Sequence, residues 1–525
     1  MVQLAFPDVD IARPGADVAD DVVADFAAAA REWPHRPAIV HNGMLVTYQD
    51  FAENVRVTAS RYRARRADCD GPTNLIGTLV SHTPAVVEHL LAILQACATY
   101  CPIDAALPAA RKQALATALG LDRLFAVAPV DVDPTHIRIE TVVDEEPVAA
   151  DADPSQASWH RSDPAYVLCT SGSTGAPKPV VVSRQALTAT VRSLRDLFAI
   201  TPEDRVLQFA SLGWDTCLEE ILPALTAGAT LVFDDAAHSG SFPRFVRMLA
   251  DREVSVLDLP TAFWHELVLF LHEEQAALPS SVRLVIIGGE RVDPTRLRQW
   301  RGLDVGHIRL LNTYGCTETT MITHAAQLAG PGTESEVAAR DTDAPIGRPL
   351  PHVRDHVTEE GELLISGPSL ATGYLGMPEL TAKGFPVADH GDGPARWFHT
   401  GDLVSRGDNG LLYSLGRADE QVKVLGVRVH PAEVEAQLNA HPAVTGAVVV
   451  GERILGHTSL TAYVARAGSA TPAELKRYLR ERLPSQFVPS RVKFVPALAY
   501  TPTGKVDRAA TRRAAADHNS KGADQ

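Results

Sequence analysis

The chain has 525 residues, more than one hydrophobic core normally holds, so it is expected to divide into domains. Its 45% apolar and 22% charged residues are those of a globular protein, and a net charge of −15 disfavours nucleic acid and anionic membranes. No apolar run of about 18 residues occurs, and the N-terminus lacks a basic segment followed by an apolar one. Neither a membrane span nor a signal peptide is expected, and the protein is placed in the cytoplasm. Cys69, Cys97, Cys101, Cys169, Cys217 and Cys316 form no C-x-x-C pair, so small buried thiols are expected in place of a disulfide framework or a metal site.

In chain order, "MLVTYQDFAENVRVTASRYRARR" predicts a strand, then a helix with Phe51, Val55, Ala59 and Tyr62 on one face. "AVVEHLLAILQACATYCPID" predicts a helix followed by a strand. "PVAADADPSQAS" has the composition of a polar connector. "RVLQFA", "TLVFDD", "VSVLDLP" and "RLVIIGGE" are short apolar strands separated by helical segments such as "PRFVRMLADRE". Alternation of this kind predicts an α/β fold with layered, mostly parallel sheets. From about Val353 the texture changes to strands joined by Gly and Asp turns: "GELLISG", "GLLYSLGR" and "EQVKVLGVRV". Two helices, "PAEVEAQLNAHPAV" and "TPAELKRYLRERLP", follow, each with Pro near its start. A small α+β unit is expected at the end, with a frayed tail from about Ala509.

"TSGSTGAPKP" sits between two apparent strands. Glycines let a backbone approach an anion, hydroxyls donate hydrogen bonds and Lys178 adds a point charge, which together suit phosphate. It is not a Walker A motif, and alone such a turn is usually an ordinary loop. Its companions change the weighting: "NTYGCTETT" at 312–320, "GELLISGPSLATGYLGMPELTAKGF" at 361–385, "WFHTGDL" at 397–403, "GRADEQVKVLGVRVHPAEVE" at 416–435 and "TPTGKVDR" at 501–508. In this order the six segments resemble the signature series of the adenylate-forming superfamily. The chain looks like a nonribosomal-peptide-synthetase adenylation domain over roughly Tyr48 to Arg508.

The resemblance implies a large N-terminal domain, 1–418, and a small mobile C-terminal domain, 419–525, with Asp419 as the hinge. It implies ATP and Mg²⁺ as cofactors, an amino acid substrate and a thiol acceptor on a carrier protein. Ser171, Thr174 and Lys178 would face the β- and γ-phosphates. Asn312 and Tyr314 would hold adenine, and Asp402 with Arg417 the ribose. Thr317 would touch the α-phosphate and Glu318 would bind the metal. Lys505 would bridge substrate carboxylate and α-phosphate, and Gly426 would line a pantetheine tunnel. The family usually has Gly where Pro179 stands, and proline removes a backbone donor. Weaker ATP binding is expected there if that N–H serves phosphate. Cys316 and Thr372 also depart from the usual pattern without removing a charged group.

"SLGWDTCLEEILPAL" resembles the start of the family's amino-acid pocket, with Asp215 placed to bind the substrate amino group. The remaining pocket positions are Thr216, Glu219, Phe263 or Ala262, Ile286, Gly288, Thr313, Met321 and Ile322, with Lys505. Glu219 is one helical turn beyond Asp215 and shares its face. A second acid in an apolar pocket suits a cation, so a basic or diamino acid such as lysine, ornithine or β-lysine is expected. A shifted β-amino group is the alternative. No carrier-protein or condensation motif follows Lys505, so a freestanding enzyme of secondary metabolism that loads a separate phosphopantetheine carrier is expected. A coenzyme A ligase and a non-catalytic nucleotide-binding relative are the competing readings.

Overall fold

The computed structural model describes residues 21–66, 74–127, 137–141, 159–170, 176–334, 337, 344–418, 421–454, 457–466, 468–499, 508, 510–513 and 515. Ser171, Thr174, Asp419, Lys505, the connector 147–158 and the last ten residues lie outside them.

Two large sheets carry the N-terminal part. In the nine-stranded sheet the central strands Pro37–His41, Thr230–Phe233, Arg205–Leu207, Val256–Pro260, Leu284–Gly288 and Arg309–Gly315 run parallel. Antiparallel strands close both edges, Met44–Thr47 on one side and Ile322–Ala329 with Arg348–Pro349 on the other. The seven-stranded sheet has Pro164–Thr170, Thr99–Asp104, Leu75–Val80, Arg123–Ala126 and Arg138–Thr141 in parallel. Lys178–Ser183 and Gly373–Tyr374 complete it antiparallel. The apolar runs thus form parallel strands, buried on both faces, and the intervening helices cover them. The Tyr48–Arg66 helix buries Tyr48, Phe51, Val55, Ala59 and Tyr62, the face expected from its spacing.

The change of texture near Val353 has a structural counterpart. Arg354–Val357, Glu362–Ser366, Phe398–Arg406 and Leu412–Arg417 form a wholly antiparallel four-stranded sheet. Beyond it the hairpin Val422–Val424/Val427–Val429 leads into a three-stranded sheet, Val444–Ile454, His457–Arg466 and Arg491–Val495. Helices Pro431–Asn439 and Pro472–Arg480 pack here, and both place Pro in the first turn. Thr471 and Glu474 form a reciprocal capping box at the second. Val424, Val434, Leu438, Leu460, Leu475 and Phe487 belong to a core separate from those of the large sheets.

Pro179 lies inside the Lys178–Ser183 strand, opposite Cys169, and its carbonyl accepts the Leu375 N–H at 2.8 Å. It is a buried sheet residue. Among the described residues no helix is long and apolar enough to cross a membrane.

Candidate active site

Parallel strands of both large sheets end at one cavity of about 620 Å³. Val80, Asp104 and Thr170 are the last residues of three strands of the seven-stranded sheet, and Pro260, Gly288 and Gly315 of three in the nine-stranded sheet; all six line it. Ligands of α/β proteins collect at such carboxyl ends. The Val422–Val429 hairpin closes a third side with Lys423, Leu425, Gly426 and Arg428.

Of the pocket residues expected from sequence, Asp215, Thr216, Glu219, Gly288, Thr313, Met321 and Ile322 line this cavity. Asp215 precedes the Thr216–Thr226 helix but makes no side-chain capping bond to it, and its Oδ2 is buried without a partner. Burial pushes its carboxyl up to about 6, against the opposing pull of a Thr317 hydrogen bond. Glu220 differs from its neighbour. Its carboxylate accepts from the Phe209 and Ala210 N–H groups and from Gln208 Nε2, which pins the preceding loop. Glu219 carries no such scaffold.

Phe263 and Ile286 lie off the cavity wall. After Pro260 the chain turns into the Thr261–Glu273 helix, and this carries Phe263 into an aromatic cluster 4.6 Å from Phe209 and 5.3 Å from Phe245 between ring centres. Ala262 is buried on the same turn. Ile286 is buried in the core. The neighbouring Val256–Pro260 strand presents Asp258, in register with Ile286, to the cavity, followed by Leu259 and Pro260. Its signal in the sequence is a single acid inside the apolar run "VSVLDLP". Asp258 is 5% exposed, and its Oδ2 has no partner. The Glu219 carboxyl hydrogen-bonds Asp258, and burial with mutual repulsion raises both above the ordinary carboxylate range. Among the described residues, Asp215, Glu219 and Asp258 are therefore three of the four carboxyl groups that line the cavity; the fourth, Asp104, accepts from the Ser211 hydroxyl at 3.0 Å. Gly288 keeps the wall open, because a Cβ there would sit 2.6 Å from Thr313 Oγ1. The Thr313 hydroxyl itself donates to the Ile287 carbonyl at 3.0 Å.

Thr317 and Cys316 line the cavity next to a tight turn, Thr317–Thr319. Thr320 and Met321 follow with φ of 59° and 68°, a left-handed pair of non-glycine residues that costs free energy and concentrates at functional sites. Glu318 Oε1 accepts from Tyr374 OH at 3.2 Å and Thr170 Oγ1 at 3.4 Å, while its buried Oε2 has no partner. Lys178 Nζ stands 5.7 Å from the Tyr374 ring centre, off the cavity wall. Among the described residues no cluster of three or more His, Cys, Asp or Glu groups suits a metal ion. An orphaned carboxylate oxygen beside hydroxyls fits Mg²⁺ of the nucleotide kind, which takes one or two carboxylates and fills its shell with phosphate and water.

A second polar cluster adjoins the cavity. Asp402 accepts from Tyr314 OH at 2.6 Å, from Arg417 at 2.9 Å and from Arg428 at 3.3 Å. Although burial opposes it, the Arg428, Lys423 and Arg417 charges hold this carboxyl below its usual range. Lys423 stands 5.6 Å from the Tyr314 ring centre, and burial lowers its ammonium to about 8. Asn312 Nδ2 donates to the Pro345 carbonyl at 2.7 Å. Tyr374, Lys423 and Arg428 were not singled out from sequence; the last two sit in the motif "EQVKVLGVRV", where only their meeting with Asp402 marks them.

Residues 26–375 match the model of the AMP-binding enzyme family and 433–505 that of the AMP-binding enzyme C-terminal domain. The chain belongs to the AMP-binding enzyme family. An isonitrile lipopeptide synthase of Streptomyces coeruleorubidus is 39% identical over 487 residues, covering 91% of this chain and 32% of the relative. A dimodular nonribosomal peptide synthase of Bacillus subtilis is 32% identical over 508 residues, covering 91% of this chain and 21% of the relative. The chain thus spans a third or less of these two relatives. Among solved structures, an NRPS protein with adenylation and PCP domains, bound to a vinylsulfonamide inhibitor, superposes with a TM-score of 0.80 at 24% identity. It covers 94% of this chain and 84% of that one. An artificially fused adenylation–PCP di-domain from Klebsiella oxytoca gives 0.77 at 22% identity, covering 91% and 94%.

Proposed function

We propose that the protein activates an amino acid carrying a second amino group, of the lysine, ornithine or β-lysine type, with ATP, and transfers it to the phosphopantetheine thiol of a carrier protein. One observation carries the substrate reading: Asp215, Glu219 and Asp258 face a single cavity from two elements. Asp215 takes the amino group beside the reacting carboxylate, and the Glu219–Asp258 pair takes the distal one. Met321 and Ile322 pack the methylenes between them.

In the first half-reaction a substrate carboxylate oxygen bonds to the α-phosphorus and the bond to pyrophosphate breaks. No general base is required, because the carboxylate is already ionised near neutrality. The work of the protein is to place the two anions together and to neutralise charge as it builds. Thr317 and Lys505 serve the α-phosphate, and Glu318, fixed by Tyr374, holds Mg²⁺, which when bound neutralises phosphate charge. In the second half-reaction a thiolate sulfur bonds to the acyl carbon and AMP leaves. The PCP domains joined to the solved relatives support a carrier as acceptor.

ATP–pyrophosphate exchange across α-amino acids, diamino acids and β-isomers tests the reading. Exchange confined to diamino acids supports it, and a preference for a neutral aliphatic acid refutes the distal-amine assignment. Thioester formation with coenzyme A in place of a holo-carrier would favour the coenzyme A ligase reading.

Gly426 allows a test of the second half. Its φ is +80°, its N–H donates to Glu290 Oε1 at 2.8 Å, and its Cα would stand 3.3 Å from a Cβ on Gly289. Gly426→Leu is expected to leave pyrophosphate exchange within about threefold of wild type and to lower carrier acylation by about tenfold or more. Equal loss of both activities would make the residue structural only.

A further inference from the structure

The hairpin that closes the cavity belongs to the C-terminal unit, and among the described residues Arg111–Glu433 is the most buried ion pair that joins this unit to the N-terminal part. Arg111 stands on the Ala109–Leu119 helix, just past the strand that carries Asp104 to the cavity. Glu433 stands on the Pro431–Asn439 helix of the C-terminal unit. Arg111 Nη1 donates to Glu433 Oε1 at 2.5 Å, with side chains 9% and 1% exposed. The guanidinium also lies 5.8 Å from the ring centre of Phe487, next to the cavity residue Gln486. Among the described residues the other ion pairs across this boundary differ in kind. Arg453–Asp293 is a more exposed pair at 3.4 Å, and Arg428–Asp402 is part of the polar cluster beside the cavity.

We propose that Arg111 and Glu433 are positioning residues that latch the C-terminal unit in the arrangement that serves thiol transfer. The assignment rests on the carrier-loading reading. Gly426 and Leu425 line the cavity in this arrangement. The arrangement therefore presents the hairpin, the side suited to the second half-reaction.

The chemistry gives the pair a specific consequence. Swung apart, both side chains return to water, where neither charge is penalised. Docked, each charge is buried and tolerable only because the other is present. Removing one partner leaves an unpaired buried charge in the docked arrangement alone, and so depopulates it. Glu433 Oε2, already without a partner, leaves no reserve contact to absorb the loss.

The test compares the two half-reactions in the full chain. The substrate is the best one from the exchange panel, and the acceptors are free pantetheine and a holo-carrier protein. Glu433→Gln, close to isosteric, and Arg111→Met are each expected to keep pyrophosphate exchange within about threefold of wild type. Acylation of both thiols from preformed aminoacyl-AMP should slow by about tenfold or more. The double variant should be no slower than the worse single, and Arg111→Lys should restore part of the rate. Unchanged acylation in both single variants overturns the latch. Loss of exchange in parallel with acylation also overturns it, because the pair then supports the fold. A wild type that exchanges pyrophosphate yet acylates neither thiol refutes the carrier-loading reading, and the latch with it.

Discussion

Glu219→Gln and Asp258→Asn are each expected to lower kcat/KM for a diamino acid by about 10²–10³-fold, measured by pyrophosphate exchange. Breaking a buried ion pair by removing one partner costs roughly 3–5 kcal/mol, and the distal ammonium would lose its counter-charge inside the cavity. A neutral amino acid of similar length should gain relative to the diamino acid in both variants. The two substitutions should be far from additive, since they act on one shared group. pH gives an independent reading. Burial and mutual repulsion raise both carboxyls, so the free pair retains a proton near neutrality, whereas the substrate ammonium needs it ionised. KM for the diamino acid should therefore fall as pH rises from roughly 6 to roughly 8. A neutral substrate should show only the lower limb near 6, where Asp215 ionises. In the absence of substrate the same raised carboxyls work against the fold: between the unfolded and folded values the native state holds more protons, so their contribution to stability declines as pH rises. A pH-independent preference, or a Glu219→Gln variant with an unchanged substrate profile, would leave only an amino-acid pocket.

The layered parallel sheets were legible because strands buried on both faces read as unbroken apolar runs, and "VSVLDLP" and "RLVIIGGE" carry little else. The Asp215–Glu219 face was legible because helical spacing is a local property. Asp258 was not, because its role depends on a strand end meeting a helix from elsewhere in the chain, and no local period announces that. Placing the pocket at Phe263 overlooked the turn from strand to helix at Pro260, where side-chain direction changes. The expectation for Pro179 rested on its missing N–H; in the structure this residue is built into a sheet, off the cavity wall. The polar cluster around Asp402 joins residues from three separated motifs. Their order along the chain was visible, but the bond of Tyr314 to Asp402 arises from the packing of two distant strands and that of Arg428 from docking of the hairpin.

Lys505→Ala is expected to lower pyrophosphate exchange by about 10²–10³-fold while leaving ATP and amino-acid binding within a few-fold of wild type. In the ground state the substrate carboxylate and the α-phosphate are separate anions, each hydrated or neutralised by neighbours. As the phosphorus becomes five-coordinate they share one crowded centre, and a lysine bridging both gains most of its interaction there. Loss of one such electrostatic contact typically costs about 2.7–4 kcal/mol in the barrier. The effect should fall on kcat more than on KM, since the interaction is made chiefly in the transition state. Among the described residues, the Lys and Arg side chains lining the cavity are Lys423 and Arg428, both from the hairpin. If they serve the other half-reaction, Lys505→Ala should still pass preformed aminoacyl-AMP to a holo-carrier at near wild-type rate, the mirror image of Gly426→Leu. A variant within threefold of wild type in exchange would remove Lys505 from the first half-reaction. Loss of both half-reactions would show that the lysine holds the C-terminal unit together and leaves the charge at phosphorus to other groups.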